Sequence, residues 1–312
     1  MDLVLQQSAG ETHAQLVEAS LDGARADRAT VAGRLATAFT AERNVWGQAV
    51  ASRHDRKADD RADGFDADRQ GLMIGADRLV GDVVAGAAFG YAETKLDAGA
   101  MGTGRVLSYR ALAYAGWRPG DHYVDAVASA GLETAKANRS VALSSGPLGA
   151  YGKTEGRSFG FDLEGGRVFR TAQGQFALAA GLAGDRLTQD GHAEAGDADI
   201  ALRLDEATRE GLQARIGGRF EGAREFGGVT LRPRAELFLT RELGDEATRL
   251  DASLQGQTFQ VWSAEAGRDG VRGALQLDAE VNARTRIGLA YRFARAGEAD
   301  SQAAALSASF TW

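Results

Sequence analysis

The sequence predicts an all-β fold: a closed antiparallel barrel of twelve strands, preceded by one long α-helix. From Asn44 onward apolar residues recur at every second position, as in Ile287, Leu289, Tyr291 and Phe293. This period of two is typical of strands with one apolar face. The links between the strand-like segments alternate between short and long, and the segment before Asn44 has the period of a helix instead.

The first predicted element is a helix over residues 12–39, which would be roughly 40 Å long. No Pro interrupts it, and apolar residues recur at helical spacing. These are Leu16, Leu21, Ala24, Val31, Leu35 and Phe39. The segment also carries charges at Glu18, Asp22, Arg25, Asp27, Arg28 and Arg34. Because charged side chains are costly in hydrocarbon, this helix is not expected to face lipid.

The twelve predicted strands follow the helix. They cover residues 45–53, 66–80, 82–96, 105–117, 121–137, 154–169, 174–190, 207–221, 228–241, 267–281, 285–295 and 302–312. Many of these strands are longer than the strands of globular sheets, which usually have about five or six residues. A tilted strand needs about 9–11 residues to cross a bilayer, so these lengths favour membrane-spanning strands.

The links between the strands fall into two classes. The short links lie at 81, 118–120, 170–173, 222–227 and 282–284, and the long polar links at 54–65, 97–104, 138–153, 191–206, 242–266 and 296–301. Short turns on one side and long loops on the other are the layout of an outer-membrane barrel. A soluble sandwich has no reason to segregate loop lengths in this way.

The composition is compatible with this prediction. Charged residues make up 25% of the chain and the mean hydropathy is -0.27, which a soluble protein would also show. A barrel strand, however, presents only every second residue to lipid, so its average hydropathy stays low. The sequence contains no run of 18 apolar residues, so a membrane-spanning helix is not predicted. The net charge of -7 argues against nucleic acid as a partner, and the lack of Cys fits export into an oxidising compartment.

The N-terminal residues do not form a signal peptide. Asp2 occupies the place of a basic residue, and the apolar run 3–5 is too short. We therefore expect that the targeting segment is not among these residues.

Several segments resemble the β-domain family of autotransporters, the proteins of type V secretion. Residues 5–14, LQQSAGETHA, resemble the junction between passenger and barrel, with Ala9 interrupting the usual Ser-Gly pair. Residues 45–48, VWGQ, resemble the opening of the first barrel strand. Gly71, Gly75 and Asp77 resemble the second strand, and residues 85–91 the third. Together the order and spacing of these motifs cover essentially the whole chain.

The end of the chain carries a further part of the resemblance. Phe310-Thr311-Trp312 is similar to the aromatic-ended strand that the outer-membrane assembly machinery recognises. The chain ends in Trp where Phe is usual, and Ser307 stands where Gly is common. The expected insertion signal comprises Leu306, Phe310 and Trp312.

The resemblance implies a twelve-stranded transmembrane barrel in the outer membrane of a Gram-negative bacterium, with the preceding helix threaded through its pore. Residues 1–43 would form the junction and linker helix, and residues 44–312 the barrel. The implied function is secretion or surface display of an N-terminal passenger. Its implied partners are outer-membrane lipid, the assembly machinery, periplasmic chaperones and the passenger itself, with the barrel monomeric. The alternative for the helix is a position outside the barrel, in the periplasm.

Inward positions of the later strands carry the charges expected to line the pore. These are Arg215, Arg219, Arg232, Arg234, Glu236, Asp278, Glu280, Arg286 and Arg292. They alternate with the apolar residues of the same strands, which places them on the opposite face. A charged helix in the pore could exchange ion pairs with such a lining.

No catalytic or cofactor site is predicted. The four histidines, His13, His54, His122 and His192, have no Ser and Asp or Asn placed for a triad. Their spacing does not indicate a metal site either. The predicted helix contains no Asn, so the self-cleavage by a helix Asn pair found in some autotransporters is not expected; release by an external protease stays open.

Three alternative functions remain at this stage. A porin-like channel would usually need more strands and no charged helix before the first one. An outer-membrane barrel enzyme, similar to the phospholipases, would need the triad that is missing here. A soluble β-rich binding module would stay in solution without detergent.

Overall fold

The computed structural model describes residues 9–36, 38, 42–144 and 146–312. The predicted junction residues 5–8 and Phe39, the predicted end of the helix, lie outside the described residues. The prediction of a twelve-stranded antiparallel barrel with one N-terminal helix is confirmed.

The barrel contains twelve long strands, each antiparallel to its neighbours in sequence. They are β1 Arg43–Arg56, β2 Phe65–Val80, β3 Val83–Asp97, β4 Thr103–Trp117, β5 His122–Leu143, β6 Gly146–Thr171, β7 Gly174–Gln189, β8 Ala207–Glu221, β9 Val229–Glu242, β10 Asp269–Glu280, β11 Thr285–Ala296 and β12 Ala299–Thr311. Strand β12 pairs with β1 from Asn44↔Thr311 to Arg56↔Ala299, which closes the sheet. Closure leaves no unpaired strand edge, the condition for a sheet to survive in lipid.

The pleat of each strand separates an outer apolar face from an inner one. In β11, Leu289 is 62% exposed on the outside whereas the adjacent Ala290 is 7% exposed on the inside. Leu72, Ile74 and Leu237 are likewise exposed, on β2 and β9. So continuous an apolar exterior exceeds what a soluble monomer tolerates, and it matches the lipid-facing band of a membrane barrel.

The two ends of the barrel differ. Short turns connect β2–β3, β4–β5, β6–β7, β8–β9 and β10–β11, and the first and last strands also meet at this end, where the Trp312 amide bonds the Arg43 carbonyl at 3.4 Å. This end is the periplasmic one. At the opposite end the loop predicted at 138–153 is wrong, because β5 extends to Leu143 and β6 begins at Gly146. The hairpin projects beyond the apolar band, so its pairing depends on backbone hydrogen bonds that hydrophobic period does not reveal.

A small four-stranded sheet covers the long-loop end of the barrel. It consists of His192–Ala193, Arg203–Leu204, Arg249–Leu254 and Gln257–Trp262. Its apolar residues pack with Ala14 and Val17 of the helix. Residues 191–206 and 242–266 were predicted as loops. Two of its strands contain only two residues and have no local signature, and the hairpin Arg249–Leu254 with Gln257–Trp262 was assigned to a long loop. The prediction therefore missed this sheet, here called the cap.

The helix α1, Glu11–Leu35, lies inside the barrel. At about 1.5 Å per residue its 25 residues span about 38 Å. All residues from 11 to 21 are buried, whereas a helix on a surface keeps one face exposed. The alternative of a helix outside the barrel is therefore wrong. Among the described residues, no helix combines the length and the apolarity that a membrane span needs.

The helix leans against one wall of the barrel. Leu16 and Ala19 pack on residues of β2–β5, among them Leu96 and Val106. Nearer the periplasmic end, Val31 and Leu35 pack on a second cluster that includes Leu112. The predicted apolar positions Leu16, Leu21, Ala24, Val31 and Leu35 are all buried. The opposite wall, β9–β12, stands further from the helix and leaves a cavity.

Glycines in the wall make room for large aromatic side chains that point inward. A Cβ atom on Gly86 would lie 2.4 Å from the Tyr114 ring, and one on Gly166 would lie 2.4 Å from that of Tyr123. Trp46 covers Gly75 in the same way, with its ring 2.6 Å from the position of a Cβ. At these positions a close approach of ring and backbone explains the glycine.

Candidate functional site

The candidate functional site is the lumen, where charges of α1 meet charges of the wall. Asp27 stands at its centre and bridges two arginines, with 2.6 Å to Arg69 on β2 and 2.6 Å to Arg110 on β4. Arg110 also pairs with Glu133 of β5 at 2.6 Å. All four side chains are buried. Each charge therefore has a partner, which is the condition under which burial of an ion pair is tolerated.

Glu18 forms the next bridge toward the cap. Its carboxylate accepts hydrogen bonds from Arg209 of β8 at 2.9 Å and from the Thr248 hydroxyl at 2.6 Å, and it pairs with Arg56 of β1 at 3.1 Å. Asp22, one turn further, lies 3.3 Å from the same Arg56. The helix is thus connected to β1, to β8 and to the loop after β9.

Two arginines of the helix contact the remaining wall. Arg25 donates to Asp185 of β7 at 2.9 Å and to Glu242 of β9 at 2.9 Å. Arg28 pairs with the same Asp185 and donates to Ser129 of β5 at 3.3 Å. Arg28 is 1% exposed, so its guanidinium is shielded from water almost completely.

Arg34 holds the periplasmic end of the helix. It donates two hydrogen bonds to Asp77 of β2, at 3.1 and 3.2 Å. Asn44 of β1 also donates to Asp77, at 2.8 Å, and the Tyr114 hydroxyl donates to it at 3.1 Å. Trp46 completes the network through its indole nitrogen, 2.8 Å from that hydroxyl. This cluster contains the Asp77 and Trp46 that the second-strand and first-strand motifs singled out.

His13 and Glu194 hold the extracellular end. The His13 Nε2 atom lies 2.7 Å from Glu194, which directly follows the cap strand His192–Ala193, and Arg139 of β5 donates to the same carboxylate at 2.8 Å. Burial opposes the charge of Glu194, but the hydrogen bonds from Arg139 and His13 outweigh it and lower the pKa from 4.5 to about 2. The His192 ring packs against the His13 ring, with 5.0 Å between the two ring centroids. Burial, with the neighbouring His13, lowers the pKa of His192 from 6.5 to about 4.

The nine residues predicted to line the pore lie on β8–β11, and their ion pairs run along the wall. Arg215 and Arg219 pair with Glu164 of β6 at 3.0 and 2.6 Å. Arg219 also pairs with Glu236 at 3.2 Å. Arg232 and Arg286 pair with Glu280, and Arg234 pairs with Asp278 and Glu221. Arg292, the last of the nine, makes no ion pair with the described residues. The Arg234 guanidinium is also 3.4 Å from the Gly33 carbonyl of the helix.

Seven wall charges that form ion pairs with the helix were not predicted to do so, although Asp77 was named in the second-strand motif. They are Arg56, Arg69, Asp77, Arg110, Asp185, Arg209 and Glu242. A signal did exist in β2, where Arg69 and Asp77 share the inward phase of Met73 and alternate with the outward Leu72. The partner of each helix residue could not be predicted, because register between the helix and the wall follows from the whole packing.

The residues of the expected insertion signal share the outward face of β12. Leu306, Phe310 and Trp312 are 58%, 46% and 57% exposed. The Phe310 and Trp312 rings stack with 6.3 Å between their centroids. They end the row at the periplasmic rim, beside the turn between β10 and β11.

The histidines occupy separate places. His13 and His192 meet under the cap, His54 on β1 lies 4.0 Å from Asp22, and His122 begins β5. Within the described part of the chain, no group of three or more His, Asp or Glu side chains is arranged to hold a metal ion.

A closed twelve-stranded barrel, an apolar exterior and a lumen filled by an ion-paired helix define an outer-membrane translocator domain. The particular family is the autotransporter β-domain, to which the chain belongs: the family model, described as "Autotransporter beta-domain", matches residues 45–292. Its localisation is accordingly the outer membrane of a Gram-negative bacterium.

Solved structures of autotransporters share the fold. The translocator domain of NalP from Neisseria meningitidis matches with a TM-score of 0.80 and 17% identity, over 97% of this chain and 100% of that one. The β-domain of the Bordetella autotransporter BrkA matches with a TM-score of 0.63 and 20% identity, over 87% and 100%. The transport unit of AIDA-I from Escherichia coli matches with a TM-score of 0.61 and 15% identity, over 86% of this chain and 90% of that one. No curated protein matches the sequence significantly.

Proposed function

We propose that this translocator domain exports a passenger joined to the N-terminal side of α1. Residues 1–43 then serve as junction and linker, and residues 44–312 as the membrane barrel. The observation that carries the proposal is the direction of the helix. Thr12 and His13 contact Met101 and Glu194 at the long-loop end, whereas Arg34 contacts Asp77 at the periplasmic end. A chain that continues upstream of Glu11 therefore emerges on the extracellular side.

The charged residues of β8–β11 line the pore in this proposal, and the helix lies in the same lumen. A porin-like channel is not favoured, because a helix tied to the wall by ion pairs obstructs free diffusion. The row Leu306, Phe310 and Trp312 acts as the insertion signal for the assembly machinery, after periplasmic chaperones have delivered the unfolded chain. The barrel works as a monomer and carries no catalytic activity of its own; an external protease releases the passenger where release occurs.

A surface-display experiment tests the proposal. A signal peptide and an epitope are placed before residue 1, and antibody labelling is measured on intact cells. The matched control carries the epitope in the periplasmic turn at Gly227, whose Cβ position is open. We expect labelling of the N-terminal epitope and not of the turn epitope, at equal barrel levels in the outer membrane. An N-terminal epitope that is hidden until the cells are broken would contradict export through this domain.

A further inference from the structure

The lumen contains a second compartment beside the helix. Between α1 and the inward face of β9–β12 lies a cavity of about 230 Å³, which adjoins another of about 110 Å³ toward the periplasmic end. Both are lined by Ala29, Glu236 and Arg292. We call this combined space the side lumen. It has room for several water molecules, which occupy roughly 30 Å³ each.

Two arginines of neighbouring strands project into the side lumen. In the register of β10 and β11, Arg272 stands opposite Ala294 and Arg292 stands opposite Ala274. The two arginines are therefore diagonal neighbours on one face, a spacing within the reach of long side chains. The Arg272 guanidinium lies over the Phe238 ring, 5.2 Å from its centroid.

Neither arginine has a carboxylate partner among the described residues. Glu236 is the carboxylate that interacts electrostatically with both arginines, and it also pairs with Arg219 at 3.2 Å. Glu236, which is already paired with Arg219, is thus the counter-charge that Arg272 and Arg292 have in common. The Nε atom of Arg272 is buried and has no hydrogen-bond partner within the described chain.

Other carboxylates line the larger cavity, among them Glu18, Asp22 and Glu242, but these pair with Arg25, Arg56 and Arg209. The positions paired with Arg292 on the adjoining strands are Ala274 and Ala303, and Ala294 is paired with Arg272. On the helix side, Ala26, Ala29 and Gly33 face the cavities. A Cβ atom on Gly33 would lie 3.5 Å from the Arg292 guanidinium, so this glycine leaves space where the two elements approach.

The other arginines of the lumen, unlike Arg272 and Arg292, have carboxylate partners. Each of the following makes an ion pair within 4.0 Å: Arg25, Arg28, Arg34, Arg56, Arg69, Arg110, Arg209, Arg215, Arg219, Arg232, Arg234 and Arg286. Enclosed charges without a counter-charge are costly. A lumen that neutralises its other arginines but exposes two of them to a cavity provides a site for a mobile counter-ion.

We propose that the side lumen binds a small inorganic anion, such as chloride, between Arg272 and Arg292. The planar guanidinium groups donate charge-assisted hydrogen bonds to it, and water fills the rest of the cavity. This site goes beyond the export of a passenger and does not depend on it, since the anion occupies space that the helix leaves free.

Thermal unfolding of the purified full chain in detergent tests the site. Sodium bromide is compared with sodium gluconate at equal ionic strength, because gluconate is a much larger anion than the halide that the site is proposed to bind. A ligand that binds only the native state raises the unfolding temperature, and we expect a rise of about 2 °C or more in bromide. The double variant R272Q/R292Q should lose this difference. The control R295Q removes an arginine that is exposed and paired with Asp300, and it should keep the difference.

The same bromide shift in the double variant, or no shift in the natural sequence, would overturn the proposal. Crystals of the unaltered chain grown in bromide give a second measurement that requires no variant. We expect an anomalous-scattering peak between the two guanidinium groups. A side lumen that holds water alone, with no such peak, would contradict the assignment even if the double variant failed to fold.

Discussion

At the scale of residues, the lumen is built from charges that are satisfied in small bridges. Asp27 illustrates the principle, since it is 7% exposed and lies between Arg69 and Arg110. A buried ion pair adds little net stability, but the loss of one partner leaves an uncompensated charge. The bridges therefore fix where the helix sits more than they drive the barrel to fold.

The first prediction concerns this bridge. Asp27→Asn should lower the free energy of unfolding by about 3–5 kcal/mol, because two buried guanidinium groups lose their shared carboxylate. Urea-induced unfolding in lipid vesicles measures the change. The control Asp269→Asn affects a pair with Arg241 in which both side chains are mostly exposed, and should cost less than about 1 kcal/mol. Equal costs for the two variants would mean that the central bridge does not hold the helix.

The second prediction concerns the outer face. Leu289→Arg should cost about 2–4 kcal/mol if the position is near the middle of the membrane. Arg292→Gln, three residues along the same strand but inside, should fold normally, because Arg292 has no carboxylate partner in the described chain. Yields of folded protein after insertion into vesicles compare the two. Similar damage from both would show that the assignment of inside and outside is wrong.

The outer face could be predicted residue by residue, whereas the inner contacts could not. Leu237, Leu289 and Leu306 follow directly from alternation, since lipid selects apolar side chains at every second position. The partners of Asp27 lie 42 and 83 residues away in sequence. Nothing local encodes such a pairing, because it depends on how the closed barrel places β2 and β4 beside the helix.

At the scale of elements, long strands and the long helix followed from their periods, and the cap did not. The twelve predicted strands each correspond to a strand of the barrel. Two strands of the cap contain only two residues, and Arg203–Leu204 pairs with the distant Ala252 and Ser253. Their stability comes from packing on Ala14 and Val17 of the helix, which no strand pattern can show.

The third prediction concerns the last strand. Removal of Phe310–Trp312 should leave the chain aggregated or degraded in the periplasm, because the lipid-facing row of β12 loses its aromatic end. Fractionation of membranes, with heat-modifiable migration of the folded barrel, measures insertion. Thr311→Ala, which keeps both rings, is the matched control and should insert normally. Normal outer-membrane levels of the truncated chain would show that the row is not an insertion signal.

The fourth prediction concerns the cap and pH. The pKa of His192 is about 4 in the folded cap and 6.5 when it opens, so the open cap takes up a proton between these values while the closed cap does not. The closed cap therefore loses stability as the pH falls from about 6.5 toward 4. The pKa of Glu194 is about 2 in the closed cap and 4.5 when the cap opens, so at a pH above 4.5 this carboxylate is charged in both states. It therefore contributes nothing to the change in cap stability between pH 6.5 and 5.

Hydrogen exchange of the cap residues, corrected for the intrinsic rate at each pH, measures this loss. Exchange should rise between pH 7 and 5 in the natural sequence. His192→Asn removes the titrating group and should make the cap insensitive over this range. An unchanged pH dependence in that variant would assign the effect to another group.

At the scale of the whole molecule, a helix fills a closed barrel unevenly. One wall packs against α1 through apolar clusters, and ion pairs join the helix to strands around the barrel. The remaining wall faces the side lumen. The fold could be predicted as a whole because alternation, link lengths and the charged helix all indicate the same architecture; the uneven filling arises from packing and was not predictable.

The central claim is that α1 occupies the lumen of a membrane barrel, and conductance tests it most directly. Single-channel currents are recorded in planar bilayers for the full chain and for a chain without residues 1–39, after circular dichroism has established that both are folded. The full chain should give small currents, and the shortened chain should give currents several times larger with lower thermal stability, because the charged wall loses its partners. Equal conductance in the two chains would contradict a helix inside the pore.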